Sequence, residues 1–247
     1  MHKTDLFNDE SICIFTDSSF KKANPGDPRY PGTTAPAYCI YHNDVCIDQG
    51  FHILHNSTSQ QGELYAFLLG ICQSFRYRHF PHIRIFSDNQ NCVFSTREWI
   101  FNWVRETNNG KATLGEGGRI SNQEYIVDIL QNIISNNIYL EIYHVKGHVD
   151  VKNYKSVHHS KVVFKRNNPF VRNVDDSIIY QLAMGNNCVD EYSTVMLKTY
   201  LRSKEYDTTD MNKAVSLQYA PFDMINYSTL VNINGQHLKS AITIGDA

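Results

Sequence analysis

No stretch of about 18 consecutive apolar residues occurs in this 247-residue chain, so no membrane-spanning helix is expected. The first residues, Met1-His2-Lys3-Thr4-Asp5, lack the apolar core of a secretory leader, and a cytoplasmic protein is expected. Cysteine is sparse, with six at 13, 39, 46, 72, 92 and 188, and none forms a C-x-x-C pair. Several lie inside apolar runs, which argues against a disulfide frame or a zinc site and for buried, reduced thiols. There is no internal repeat and no low-complexity tract. Charge of one sign does not dominate either, since 23 Lys and Arg face 25 Asp and Glu for a net charge of −2. Any strongly basic surface must therefore be local. What is present is ordinary globular composition, 42% hydrophobic and 19% charged, which excludes wholesale disorder, collagen and coiled coil. The length lies between one and two domains of about 150 residues, enough for a sizeable core.

Hydrophobic periodicity orders the chain. Residues 11–16 read as a short buried strand ended by Asp17-Ser18-Ser19. Residues 24–36, with four prolines and two glycines, read as a loop. Strands are expected over 37–41 and 45–54, turned at His42-Asn43-Asp44. Ser57-Thr58-Ser59 offers a helix N-cap before a helix over 60–77. A strand over 82–87 follows Pro81. A helix over 89–106 carries Trp99 and Trp103 on one face, and a glycine-rich loop covers 107–119. A helix over 121–136 and a strand over 138–145 come next. Beyond Lys146-Gly147-His148 the chain turns polar and basic to about 175. A last helix is expected over 186–202, capped by Asn186, and then a polar tail. This order predicts an α/β domain with a mixed sheet.

Two strand ends look alike, Ile14-Phe15-Thr16-Asp17 and Ile85-Phe86-Ser87-Asp88. If these strands are parallel neighbours, both aspartates stand at one sheet edge, where open α/β sheets place their ligands. Such a pair repels itself unless a divalent cation neutralises it. Taken singly, each aspartate also reads as a turn former. Glu63 and Asp190, each in the expected first turn of a helix, also read as partners of the helix dipole.

The set and its order resemble the type 1 ribonuclease H family. That family's T-D-G-S, which ends its first strand, is similar to Thr16-Asp17-Ser18-Ser19. Its T-x-N-x-x-E stretch is similar to Thr58-Ser59-Gln60-Gln61-Gly62-Glu63, and its S-D-S-Q to Ser87-Asp88-Asn89-Gln90. Its W-I-x-N-W matches Trp99-Ile100-Phe101-Asn102-Trp103, and V-K-G-H is identical to Val145-Lys146-Gly147-His148. Its N-x-x-x-D-x-x-A is loosely similar to Asn186-Asn187-Cys188-Val189-Asp190-Glu191-Tyr192-Ser193, with serine in place of the alanine. The resemblance covers about 11–148 plus 186–200.

The resemblance implies a ribonuclease H-like α/β fold, with a five-stranded mixed sheet flanked by helices. A catalytic domain over 11–202 is then expected, with a basic insertion at about 149–185 and a C-terminal extension, 203–247, that supplies at most a docking strand. It implies an endoribonuclease that hydrolyses the RNA strand of RNA–DNA hybrids by a two-metal-ion mechanism, leaving 5′-phosphate and 3′-hydroxyl ends. Asp17, Glu63, Asp88 and Asp190 would hold two Mg²⁺ ions, with Mn²⁺ able to substitute, since carboxylates are hard oxygen donors. His148 would assist proton transfer or product release. Thr58, Asn102 and Trp103 would grip a DNA-strand phosphate, and Ser59, Gln60 and Asn89 would contact RNA 2′-hydroxyls. The partner is the hybrid, bound by a monomer with no membrane. A DNA-directed nuclease of the same fold and a non-catalytic nucleic-acid-binding module remain as alternatives.

Departures from the family pattern are local. Ser18 replaces a glycine, and Ser59 or Gln60 stands where the family has asparagine. Residues 105–111, where many members are basic, are nearly neutral. In compensation, residues 151–174 hold Lys152, Lys155, Lys161, Lys165, Arg166 and Arg172 and no acid. The run reads either as a solvated loop or as a phosphate-binding element with Lys161, Lys165 and Arg166 as its candidate ligands, and Lys146 before it is a further substrate-binding candidate.

Overall fold

The computed structural model describes residues 6–22, 32–99, 104–106, 111–114, 129, 140–171, 173–206, 231–233, 236–238 and 243–244. In chain order, β1 (Ser11–Lys21), β2 (Gly32–His42), β3 (Val45–Phe51) and β4 (Leu54–Ser57) lead into α1 (Ser59–Ser74). Next come β5 (His82–Ser87), the short α2 (Gln90–Phe94) with a π-helical turn over Ser95–Trp99, β6 (Val104–Glu106), β7 (Lys111–Leu114) and β8 (Leu140–His144). Two helices, α3 (Tyr154–Asn167) and α4 (Asp176–Tyr206), precede the short strands β9 (Val231–Ile233), β10 (Gln236–Leu238) and β11 (Thr243–Ile244).

The main sheet runs β10-β9-β8-β5-β1-β2-β3, with β4 also on β2. Its centre is the expected five-stranded mixed sheet, with β1, β2 and β3 antiparallel and β1, β5 and β8 parallel. From the tail, β9 pairs in parallel with β8 through Leu140 and Ile233. A small second sheet joins β6, β7 and β11.

The central strands are buried on both faces, which explains their unbroken apolar runs. In β1, Ile12 and Ile14 face one core with Leu64, Phe67, Leu68 and Ile71 of α1. Cys13 and Phe15 face the other, with Phe86, Tyr143, Phe164 of α3, and Ile179, Leu182 and Val189 of α4. All six cysteines are free thiols.

Several boundaries differ from the sequence expectation. β1 does not stop at Thr16. Ladder pairing with β2 continues to Lys21 opposite Thr33, so residues 32–36 of the expected loop are strand. Of the helix expected over 89–106, residues 90–99 are helical, but Val104–Glu106 is a strand that pairs with Lys111–Leu114, which falls in the expected 107–119 loop. Of the helix expected over 121–136, only Ile129 lies among the described residues, where it is helical and fully buried.

The last helix begins ten residues before the expected start. Asp175 caps it, since its Oδ1 accepts from Ile178 N at 3.0 Å. The expected cap at Asn186 lies inside α4, where the neighbouring Gly185 allows a close approach. A Cβ on it would meet the Phe15 ring at 2.4 Å. Asn186 is therefore a fully buried residue inside α4, not its cap.

Candidate active site

β1 and β5 are parallel neighbours, with Phe15 opposite Phe86. Asp17 and Asp88 each follow two residues later, so both stand at one sheet edge. Glu63 joins them from the first turns of α1, whose start is set by Thr58. The Thr58 hydroxyl accepts from Gln61 N at 3.2 Å, and Gln61 Oε1 accepts from Thr58 N at 2.8 Å, a reciprocal capping box.

Oxygens of Asp17, Glu63 and Asp88 lie within 4.8 Å of one another. Burial, then the Asp88 charge, pushes the Asp17 carboxyl up to about 7. Burial, with Asp17 and Asp88 behind it, holds Glu63 well above the ordinary carboxylate range. Burial also raises Asp88, partly offset by its hydrogen bond from Asn186 and by the nearby His148. Glu63 Oε2 is buried without a hydrogen-bond partner among the described residues. Clustered, raised carboxylates with an orphaned oxygen suit a hard divalent cation, which replaces mutual repulsion with attraction.

Asp190 sits apart from this triad. Its Oδ2 meets His148 Nδ1 at 3.1 Å, and its charge still raises both Asp17 and Asp88. His148 adopts φ 52° and is 80% exposed, so its ring points outward at the site's rim. Just before it, Gly147 packs so tightly that a Cβ would lie 2.1 Å from Asp88 Oδ2.

Ser18 does not need its missing glycine's freedom. It continues the strand, and its N–H donates to Asp17 Oδ1 at 2.7 Å. Gln60 and Asn89 stand side by side, with Gln60 Oε1 3.5 Å from Asn89 Nδ2. Ser59 is exposed beside them. Asn102 and Trp103 lie outside the described residues. Lys146 Nζ turns onto Gly147 O at 3.3 Å. Lys161, expected as a phosphate ligand, is instead engaged by Asp176 at 2.6 Å. Lys165 and Arg166 are exposed.

Sequence reading missed two supports of the triad. Asn186 Nδ2 donates to Asp88 Oδ2 at 3.3 Å. The signal for it was its place four residues before Asp190, on one helix face. His144 Nε2 donates to the Asp88 carbonyl at 3.1 Å, and its Nδ1 accepts from Asn167 Nδ2 at 2.9 Å. Burial pushes His144 down to about 4, so it is the neutral imidazole that this bonding pattern requires. Asn168 Nδ2 donates to His144 O at 2.7 Å, and buried Arg97 donates to Asn168 Oδ1 at 2.9 Å and to Asn167 O at 2.8 Å. No short motif announces this network, because its members lie far apart in the chain.

The RNase H family profile matches residues 9–157, more than half of the chain. The chain belongs to the RNase H family, which makes it a nuclease domain of that kind. No curated protein sequence matches it. Among solved structures, the protease–reverse transcriptase of Prototype Foamy Virus is 15% identical with a TM-score of 0.42, over 66% of this chain and 21% of that one. The chain thus spans about a fifth of that viral protein's length. LC11-RNase H1, solved with an RNA/DNA hybrid, is 11% identical with a TM-score of 0.38, over 63% of this chain and 97% of that one. RNase H1 from Halobacterium salinarum NRC-1 is 14% identical with a TM-score of 0.37, over 55% and 86%.

The raised carboxyls make a pH-dependent prediction. A carboxyl raised from 3.8 to about 7 gives stability that is fully present below pH about 4 and lost as pH rises through about 7. A cation at the same oxygens must displace those protons at low pH. The rise in melting temperature on adding Mg²⁺ should therefore be larger at pH 8 than at pH 6. The opposing titration of His144 cancels in this with-and-without-metal difference. An equal Mg²⁺ effect at both pH values would contradict metal binding at the triad.

Proposed function

We propose that this chain is a divalent-metal-dependent endoribonuclease that cuts the RNA strand of RNA–DNA hybrids, leaving 5′-phosphate and 3′-hydroxyl ends. The observation that carries this reading is the convergence of Asp17, Glu63 and Asp88 at one sheet edge of an RNase H family chain. Asp17, Glu63, Asp88 and Asp190 would hold two Mg²⁺ ions, or Mn²⁺ in their place, supplying Lewis-acid activation of the attacking water and of the leaving oxygen.

The chain's own groups do the rest. Asn186 fixes the Asp88 carboxylate from α4, and His144 fixes its backbone from β8. His148, exposed on its left-handed turn and tethered by Asp190, moves a proton at the rim and helps product leave. Gln60, Asn89 and Ser59 meet the 2′-hydroxyls that separate RNA from DNA. The Thr58 hydroxyl accepts within its cap, leaving its own hydrogen to donate to a DNA-strand phosphate with Asn102 and Trp103.

The test is cleavage of end-labelled RNA–DNA hybrid, DNA duplex and RNA duplex with Mg²⁺. Cutting confined to the RNA of the hybrid is expected. Preferred cutting of DNA would replace this reading with a DNA-directed nuclease. Cutting of none, with Mg²⁺ or Mn²⁺, would replace it with a binding module.

A further inference from the structure

The acid-free run over 151–174 is mostly helix α3, and α3 lies along the catalytic edge. Its entry is tied there, since Asn187 Nδ2 donates to Val149 O at 2.8 Å just after His148. Its exit is tied there too, through Asn167 and Asn168 on His144, the last residue of β8. Ser160, Val163, Phe164 and Asn167 form its buried face, with Phe164 against Tyr143. The opposite face is exposed and carries Lys155, His158, His159, Lys165 and Arg166. Tyr154, 73% exposed, stacks on His158 at 6.0 Å. Asp176 meets Lys161 at the helix margin and leaves the outer face without a carboxylate from α3 itself.

A helix that is polar on one face usually meets only water. Three features set this one apart. Its outer charges have one sign, in a chain whose net charge is −2. Both ends are anchored beside the carboxylates by side-chain hydrogen bonds, part-buried at the entry and buried at the exit, so the charges are held in place rather than swept through solvent. The segment that would otherwise supply positive charge, residues 105–111, is nearly neutral.

We propose that the exposed face of α3 is a docking surface for the sugar–phosphate backbone of the duplex substrate, beyond the bond that is cut, with Lys155, Lys165 and Arg166 as its phosphate ligands. This rests on the hybrid-cleaving reading above. Contacts of this type neutralise phosphates and release counterions, so they are sequence-independent and salt-sensitive. Arg166 can engage a phosphate through two N–H groups, whereas the lysines act as point charges.

The test is binding of a fluorescent 20-base-pair RNA–DNA hybrid in Mg²⁺ across a salt series. It uses full-length Asp88→Asn protein, which keeps the strands uncut, with and without Lys155→Gln, Lys165→Gln and Arg166→Gln together. The slope of log affinity against log salt should flatten by about 3, one per lost phosphate contact, with at least roughly tenfold weaker binding at low salt. Lys155→Gln alone should flatten it by about 1. Melting of each variant should stay at the parent value, because the three side chains are exposed. Should the triple variant melt early, the single variant decides. An unchanged slope in a protein that binds the hybrid overturns the docking surface and leaves the nuclease standing. Failure of the parent protein to bind the hybrid at all overturns both.

Discussion

Asp88→Asn should lower hybrid cleavage by on the order of 10³-fold or more, equivalent to at least about 4 kcal/mol of lost transition-state stabilisation. Asparagine keeps the shape of the side chain. Its amide oxygen can still accept from Asn186, which now bonds Asp88 at 3.3 Å. What it removes is one negative charge from a cluster whose members already raise one another's pKa. Two consequences separate this from unfolding. Without metal, the variant should melt at or above the parent temperature, because a repulsion has been deleted. With Mg²⁺, its rise in melting temperature should be much smaller than the parent's, because a ligand has been deleted. A variant that cuts within tenfold of the parent would remove Asp88 from the centre. So would an unchanged Mg²⁺ effect.

Arg97→Met should cost about 3 kcal/mol or more of stability, although Arg97 touches no carboxylate of the triad directly. Arg97 is 3% exposed, with its guanidinium between the rings of Phe94 and Phe170, each 5.2 Å from its centre. It donates to Asn168 Oδ1, Asn167 O and Ile142 O, and pairs with Glu98 at 2.6 Å. Methionine can refill the apolar contacts, but it takes one donor from each of three buried acceptors, of which Asn168 Oδ1 keeps the His144 N–H at 3.0 Å. With roughly 2–4 °C per kcal/mol for a chain of this size, the melting temperature should fall by roughly 6–12 °C. Arg97→Lys should fall between, since it keeps the charge but loses the planar fork. The loss should reach the site through Asn167 and His144, so the specific activity of the folded variant should also drop. A melting temperature within 2 °C of the parent would show that the network does not brace the catalytic edge.

Much of this was legible in the chain. The central strands announce themselves because burial on both faces demands continuous apolar residues. The capping box at Thr58 and Gln61 is local chemistry, so the start of α1 could be read within a residue. The two aspartates could be paired because each ends a similar strand, and β1 and β5 are indeed parallel neighbours. The glycine after Lys146 was visible, though not its reason, which is the carboxylate of Asp88 pressed against it.

Misreadings fell where tertiary contact overrides local preference. Pro36 suggested a loop, but it lies in β2 opposite Ser18, where the pairing of β1 and β2 runs on through it. Asn186 suggested a helix start, but α4 runs through it, and Gly185 thins that helix where it crosses Phe15. The basic stretch after His148 was open between loop and binding element, and packing of Phe164 on Tyr143 makes it a helix with one exposed face. Short-range chemistry, namely burial period, caps and the carboxylates at strand ends, is written into neighbouring residues and was determined by the sequence alone. The contact of Asp190 with His148, the grip of Asn186 on Asp88 and the Arg97–Asn168–His144 brace join residues between 24 and 98 positions apart. Such contacts exist only once helices and strands have docked, because each depends on the distance between elements and not on the order of residues within one.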